Sequence, residues 1–224
     1  MGVIKLGKRA IVGIIGRPAA NRLSAPYHDF LAVRRTREML ERLPSHGLSV
    51  NIGCGPNARP GWVNLDMARG AGIDVVWDLR KGLPFRSESC TAIFGEHVIE
   101  HLSKADAETL VRDCHRSLEI DGVLRLSTPE AGRFFRSYAA DGDFLRHSGF
   151  GAPAETAMDR INQMMREFGQ HLWSYDTESL SLLLKKAGFS RVVEKLCGES
   201  EHPLMKGVDD PTRAFESVYF DAIK

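Results

Sequence analysis

What most constrains this chain is a series of short apolar runs, each ending on a glycine, an acid or a histidine. "LSVNIGCGPN" passes from a strand-like run into a turn built on Gly53 and Gly55. "GWVNLD" stops at Asp66, "IDVVWD" at Asp78 and "TAIFGEH" at Glu96 and His97, and "VLRLSTP" forms a fifth run after the Asp121-Gly122 turn. Helical patterns follow. From Lys104 to Leu118 the residues Leu110, Val111, Cys114 and Leu118 share a face. In "ESLSLLLKKA", Leu180, Leu183, Leu184 and Ala187 do the same, with Asp176 or Thr177 as cap and Gly188 as stop. Strands alternating with helices predict an α/β domain with a mostly parallel sheet, and ligands of such sheets bind at the carboxyl ends of the strands. The last two runs, "RVVEKL" and "ESVYFDAI", have no helix between them and predict an antiparallel hairpin at one edge.

With 224 residues the chain has room for one ordinary domain plus an extension. The expected division is a basic N-terminal extension over 1–45, with a helix from His28 to Leu43 stopped by Pro44, and a single domain over 46–224. A helical insert or lid is expected at about 131–170, on the pattern of "AETAMDRINQMMREFG". Residues 1–43 carry nine Lys/Arg against three Asp/Glu, although the net charge of the whole is only +1. That arm suits an anionic partner: acidic lipid, a sugar phosphate or a nucleic acid. A solvated segment without a partner is the competing reading. Peripheral membrane contact through the arm stays open, but no stretch approaches the ~20 apolar residues of a membrane span. Nucleic acid is not expected, because no RNA-binding motif or interleaved aromatic pattern accompanies the charge. The four cysteines form no C-x-x-C pair, which points to a reduced, cytoplasmic setting and to neither a zinc ribbon nor a disulfide framework. The sequence leaves the oligomeric state open.

The strand-end residues form an ordered set. Gly53 and Gly55 let backbone approach a ligand and turn amides toward it. Asp66, ending the next strand, is placed to accept two hydrogen bonds from a ribose diol. Asp78 and the Leu79 amide can pair with the amino and ring nitrogens of adenine. Taken singly, each aspartate also fits a cap or turn; taken in order, the set is harder to explain that way.

These residues resemble the class I S-adenosylmethionine-dependent methyltransferases, and more narrowly a small bacterial type-11-like group. The resemblance rests on "VNIGCGPNARPGWVNLD", "VVWDLRKGLPF", "EHVIEHL" and "DGVLRLSTP", in order from Ser49 to Pro129, and resumes weakly at "HLWSYDTESLSLLLKKAGF". It implies a Rossmann-like methyltransferase fold with S-adenosylmethionine as cofactor. Gly53 and Gly55 would cradle the methionine part, Asp66 the ribose, and Asp78 with Leu79 the adenine. Glu96 and His97 would lie beside the methyl group and face the acceptor. The chain departs from the family in three places. Asn51 replaces the usual acid, so its contact to the methionine ammonium would be neutral. Pro56-Asn57 replaces the third glycine, and Thr91 stands where the group often has Asp. Only about six residues follow Gly55 before the next strand, too few for the helix that a dinucleotide site needs.

"HVIEH", His97 to His101, also spells the inverted zinc-hydrolase pattern H-x-x-E-H. That chemistry needs both histidines within one helix and a third protein ligand, whereas here the motif begins at a strand end. No metal is expected. The candidate bases for a hydroxyl acceptor are His97 and His171, the latter placed after the insert so that, with Tyr175, it could come from the lid to close over the acceptor. Arg133 and Arg136 could grip an anionic acceptor. The expected activity is transfer of a methyl group to a small molecule, with a saccharide hydroxyl preferred as acceptor. A non-catalytic binding module on the same fold and a zinc hydrolase are the alternatives.

Overall fold

The computed structural model describes residues 34–140, 145 and 154–224. The basic arm at 1–27, the start of the expected first helix and part of the insert lie outside the described residues. The chain divides into two compact units, Met1–Leu43 and Pro44–Lys224. In the first, helix α1 (34–42) carries two exposed i,i+4 pairs, Arg34–Glu38 and Arg37–Glu41. Such pairs support a helix by only ~0.3–0.5 kcal/mol each.

The second unit is built on a seven-stranded sheet of order β3-β2-β1-β4-β5-β7-β6. The strands are β1 (Leu48–Ile52), β2 (Val63–Asp66), β3 (Val75–Val76), β4 (Cys90–Glu96), β5 (Leu118–Pro129), β6 (Arg191–Lys195) and β7 (Ser217–Ile223). The parallel pairs are β1 with β2 and β4, β2 with β3, and β4 with β5. β7 is antiparallel to both β5 and β6. The expected hairpin is therefore present, with its second strand reaching inward between β5 and β6 rather than forming the edge. The chain winds outward from β1 through β2 to β3, then returns to lay β4 on the other flank of β1. The crevice between the ends of β1 and β4 is thus the topological switch point of the sheet, where open α/β folds bind their ligands.

Strand burial explains the apolar runs. Val50 and Ile52 of β1, Ile93 of β4 and Leu124 of β5 are fully buried, as expected of strands covered on both faces. Helix α2 (Lys104–Ser117) contributes Ala107, Leu110, Val111 and Cys114 to this core, and Ser103 caps it by accepting from the Asp106 amide. Helix α5 (Thr177–Lys186) buries Leu180 and Leu184 and is held by a capping box between Asp176 and Ser179. Helices α3 (Ala131–Ala139) and α4 (Ala157–Arg166) form a satellite core of Ala131, Phe134, Leu145, Ile161 and Met164.

Local details differ from the sequence reading. The third strand stops at Val76, and Asp78 instead caps a 3-10 turn, Leu79–Lys81, by accepting from the Arg80 amide. The Trp77 ring N–H reaches the Gly82 carbonyl at 2.9 Å, which folds the chain back on itself before the strand can continue. The fourth strand stops at Glu96, and His97 adopts a left-handed φ of 50°. Pairing of β5 with β4 begins at Leu118, skips a bulge and resumes at Val123, so the expected turn at Asp121-Gly122 sits inside a longer strand.

Candidate active site

The loop after β1 opens with Gly53 at φ 59° and continues through Gly55 at φ 49°. Left-handed backbone of this kind favours glycine. At Gly53 there is also no room for a side chain, since a Cβ would lie 2.3 Å from Val98 Cγ2. Gly53→Ala is therefore expected to push the loop off the β4 end. A destabilisation of ~1–3 kcal/mol, read by urea denaturation, should accompany loss of cofactor affinity. A variant with wild-type stability and affinity would show that this close approach is not needed.

Asp66 fixes the second half of the loop. Its Oδ2 accepts from the Gly55 amide at 2.8 Å and its Oδ1 from the Ala68 amide at 2.7 Å. Each oxygen keeps a further lone pair for a ligand. Asn64, buried on β2, braces the loop from below. Its Oδ1 accepts from the Arg59 amide at 2.7 Å and from Asn51 Nδ2 at 3.1 Å, while its Nδ2 donates to the Arg59 and Trp62 carbonyls. This side-chain scaffold takes the place of the helix that the short connection cannot form. Asn51 spends its Nδ2 on Asn64 and on the Asn57 carbonyl, which leaves its Oδ1 as the acceptor for a ligand cation.

Asp78 is engaged by Arg80, whose guanidinium reaches its carboxylate at 2.8 and 2.9 Å. That hydrogen bonding holds Asp78 below the usual carboxylate range. The Leu79 amide opens the turn and so has no partner within it. Across the crevice, Glu96 Oε1 accepts from the Asp210 amide at 2.9 Å. Burial, followed by the nearby acids, pushes the Glu96 carboxyl up.

One cavity of about 690 Å³ gathers these groups, a size suited to a cofactor or other small ligand. Asn51, Gly53, Gly55, Asp66, Asp78, Leu79, Glu96 and His97 all line it, so every expected cofactor residue and one of the two expected bases meet there. His171 lies outside the lining. Its Nδ1 is 2.6 Å from the Met164 carbonyl and its Nε2 2.8 Å from Glu167. Tyr175 is buried and bridges to Glu130 rather than reaching the cavity. Arg133 and Arg136 are also turned elsewhere, to the Phe215 carbonyl and to Glu130.

The sequence reading did not single out Asn64, Arg59 or Arg213. Arg59 lines the cavity with its guanidinium 4.5 Å from the centre of the Phe94 ring. Arg213 also lines it and donates to His97 Nδ1 at 2.8 Å. The only local signal for them was the polar character of their loops. A guanidinium only donates, so His97 Nδ1 accepts and its Nε2 carries the proton toward Ser217 Oγ, 2.6 Å away. Burial, and then the Arg213 charge, hold this imidazole well below its ordinary pKa, so it is neutral.

A sequence-family profile described as a methyltransferase domain matches residues 60–126, from the turn before β2 to the middle of β5. That match spans 67 of the 224 residues and, together with the fold, supports an S-adenosylmethionine-dependent methyltransferase. Its cofactor is S-adenosylmethionine, and the site fits that molecule. The free Asn51 Oδ1 suits an ammonium, the spare lone pairs of Asp66 suit a diol, and the Gly53 backbone lines the same cavity. Among solved structures, this methyltransferase is similar to a Thermotoga maritima S-adenosylmethionine-dependent methyltransferase described as a possible histamine N-methyltransferase. The TM-score is 0.51 at 21% identity, covering 91% of this chain and 97% of that one, a likeness of fold. A Mesorhizobium loti methyltransferase scores 0.47 at 16% identity, over 84% of this chain and 96% of that one. A Burkholderia thailandensis 1,6-didemethyltoxoflavin-N1-methyltransferase also scores 0.47, at 15% identity, over 99% and 88%. Neither adds to the fold assignment. No curated protein matches the chain.

Proposed function

We propose that this methyltransferase moves the methyl group to a small polar acceptor, with a saccharide hydroxyl preferred. Glu96 would be the proton acceptor and His97 the residue that positions the wall beside it. The reading is carried by one observation, the convergence of the whole strand-end set on a single cavity at the switch point. Gly53, Gly55 and Asn51 would hold the methionine part, Asp66 the ribose hydroxyls, and Asp78 with the Leu79 amide the adenine. When bound, the cofactor supplies an electrophilic methyl on a sulfonium, so the chain needs no nucleophile of its own. Its residues are left to orient the acceptor in line, exclude water and take up a proton.

Glu96 suits the last task better than either histidine. One of its oxygens is held by the Asp210 amide, leaving the other for the cavity, and burial raises its basicity. Both nitrogens of His97 are occupied, and His171 lies off the wall. Arg59 and Arg213 supply the positive lining that an anionic acceptor would need. The wider organisation belongs to the same proposal: a basic extension over 1–45, a methyltransferase domain over 46–224 whose 131–170 insert serves as a lid, and a cytoplasmic setting. Among the described residues no helix is long and apolar enough to cross a membrane; peripheral contact would fall to the basic arm.

The test is production of S-adenosylhomocysteine against a panel of sugar, sugar-phosphate and amine acceptors, repeated on Glu96→Gln. Turnover of a hydroxyl acceptor should fall by about 10²–10⁴-fold in the variant, with cofactor affinity unchanged. Turnover of amines alone, or a variant as fast as wild type, would overturn this reading.

A further inference from the structure

The segment after the helical insert returns to the "HVIEH" turn. The amides of Leu172 and Trp173 both donate to the Glu100 carbonyl, at 2.8 and 3.2 Å. This brings ligand atoms of Glu100, His101 and His171 within 4.8 Å of one another. Glu167 joins them, its Oε2 2.8 Å from His171 Nε2 and 3.8 Å from His101 Nε2.

The far side of each ring fixes its tautomer. His171 Nδ1 lies 2.6 Å from the Met164 carbonyl and His101 Nδ1 lies 3.3 Å from the Gln170 carbonyl. A carbonyl only accepts, so each Nδ1 carries the proton and each Nε2 presents a lone pair. Two lone pairs then face a carboxylate oxygen, an arrangement that repels unless a proton or a cation sits among them. Beside them Glu100 Oε1 is buried on a residue only 1% exposed and accepts no hydrogen bond, with His97 Nδ1 3.3 Å away. The backbone is strained at the same place, with Glu167 and Phe168 at φ 32° and 56°. Backbone of this kind persists where surrounding structure enforces it, often at functional sites.

We infer that Glu100, His101, Glu167 and His171 bind a divalent transition-metal ion of the zinc type. Two neutral imidazoles and carboxylates are a donor set that zinc accepts. A histidine whose second nitrogen donates to a backbone carbonyl has the outer-shell arrangement of metal-bound histidines. The set differs from the H-x-x-E-H pattern, because His97 is committed to Ser217 and Arg213 and is not a ligand. His101 and Glu167 also line the cavity, so an ion here would have its open positions toward the acceptor side.

The test is calorimetric titration of the full chain, stripped with chelator, with Zn²⁺ alone, together with the visible absorption of a Co²⁺ complex. One ion per chain should bind at micromolar concentration or tighter, with a Co²⁺ spectrum showing imidazole ligation. His101→Ala and His171→Ala should each weaken binding by about 100-fold or more. Glu167→Gln, at a half-buried position, should weaken it with the fold intact by circular dichroism, while His202→Ala should leave it unchanged. No saturable binding would overturn the site and leave a shared proton between His171 and Glu167. Binding that survives the His101→Ala/His171→Ala double variant would overturn it too. Titration of the same metal-free protein with S-adenosylhomocysteine keeps this outcome separate from the donor site.

Discussion

Asp66→Ala is expected to weaken S-adenosylhomocysteine binding by about 100-fold or more. Two hydrogen bonds from ligand hydroxyls to a carboxylate are worth ~1.5–3 kcal/mol each, and ~1.4 kcal/mol is a factor of ten. The same substitution frees the Gly55 and Ala68 amides that Asp66 now holds, so the glycine loop should also lose its preorganised shape. Asp66→Asn is the intermediate case, since it keeps one acceptor oxygen and with it one of the two loop contacts, but gives up the charge. Isothermal titration of the three proteins is the measurement, and the ligand-induced rise in melting temperature should follow the same order. An Asp66→Ala protein that binds as tightly as wild type would remove Asp66 from the donor site, and with it the alignment of strand ends with cofactor parts.

Arg125→Met should cost the fold ~3–5 kcal/mol, the usual effect of breaking a buried charge network by removing one partner. Arg125 is fully buried on β5. It donates to both oxygens of Asp209, to Asp221 at 2.7 Å and to the Leu196 carbonyl at 3.1 Å. Without it, two buried aspartates face each other with no cation. The triple variant Arg125→Met/Asp209→Leu/Asp221→Leu should recover much of the loss, because it removes the stranded charges as well. Urea denaturation with an unchanged m-value gives both numbers. A single variant within ~1 kcal/mol of wild type would show that the network contributes nothing net. The effect should extend to catalysis. Asp209 precedes Asp210, whose amide holds Glu96, so loosening this corner also loosens the proposed base.

The sequence alone determined the sheet and which strand-end residues meet beside it. Strand and helix periods are local, and a strand's end is marked by the residue that stops it. Gly53, Gly55, Asp66 and Glu96 could therefore be placed at one sheet edge without coordinates. The Asp176 cap and the Gly188 stop were legible for the same reason, since each acts within a few residues of its own helix.

Tertiary structure decided the directions of side chains and every contact made across the chain. His97 meets Ser217 across 120 positions, and Arg125 meets Asp209 across 84. No spacing rule encodes pairings that long, because they exist only once β7 has slid between β5 and β6. The "HVIEH" string suggested one helical face, yet the left-handed backbone at His97 turns that residue toward Arg213 while His101 turns toward the insert. Asp78 looked like a free acceptor until its neighbour Arg80 was seen folded onto it. His171 resembled a lid residue in sequence, and packing turned it toward Glu167 and His101 instead.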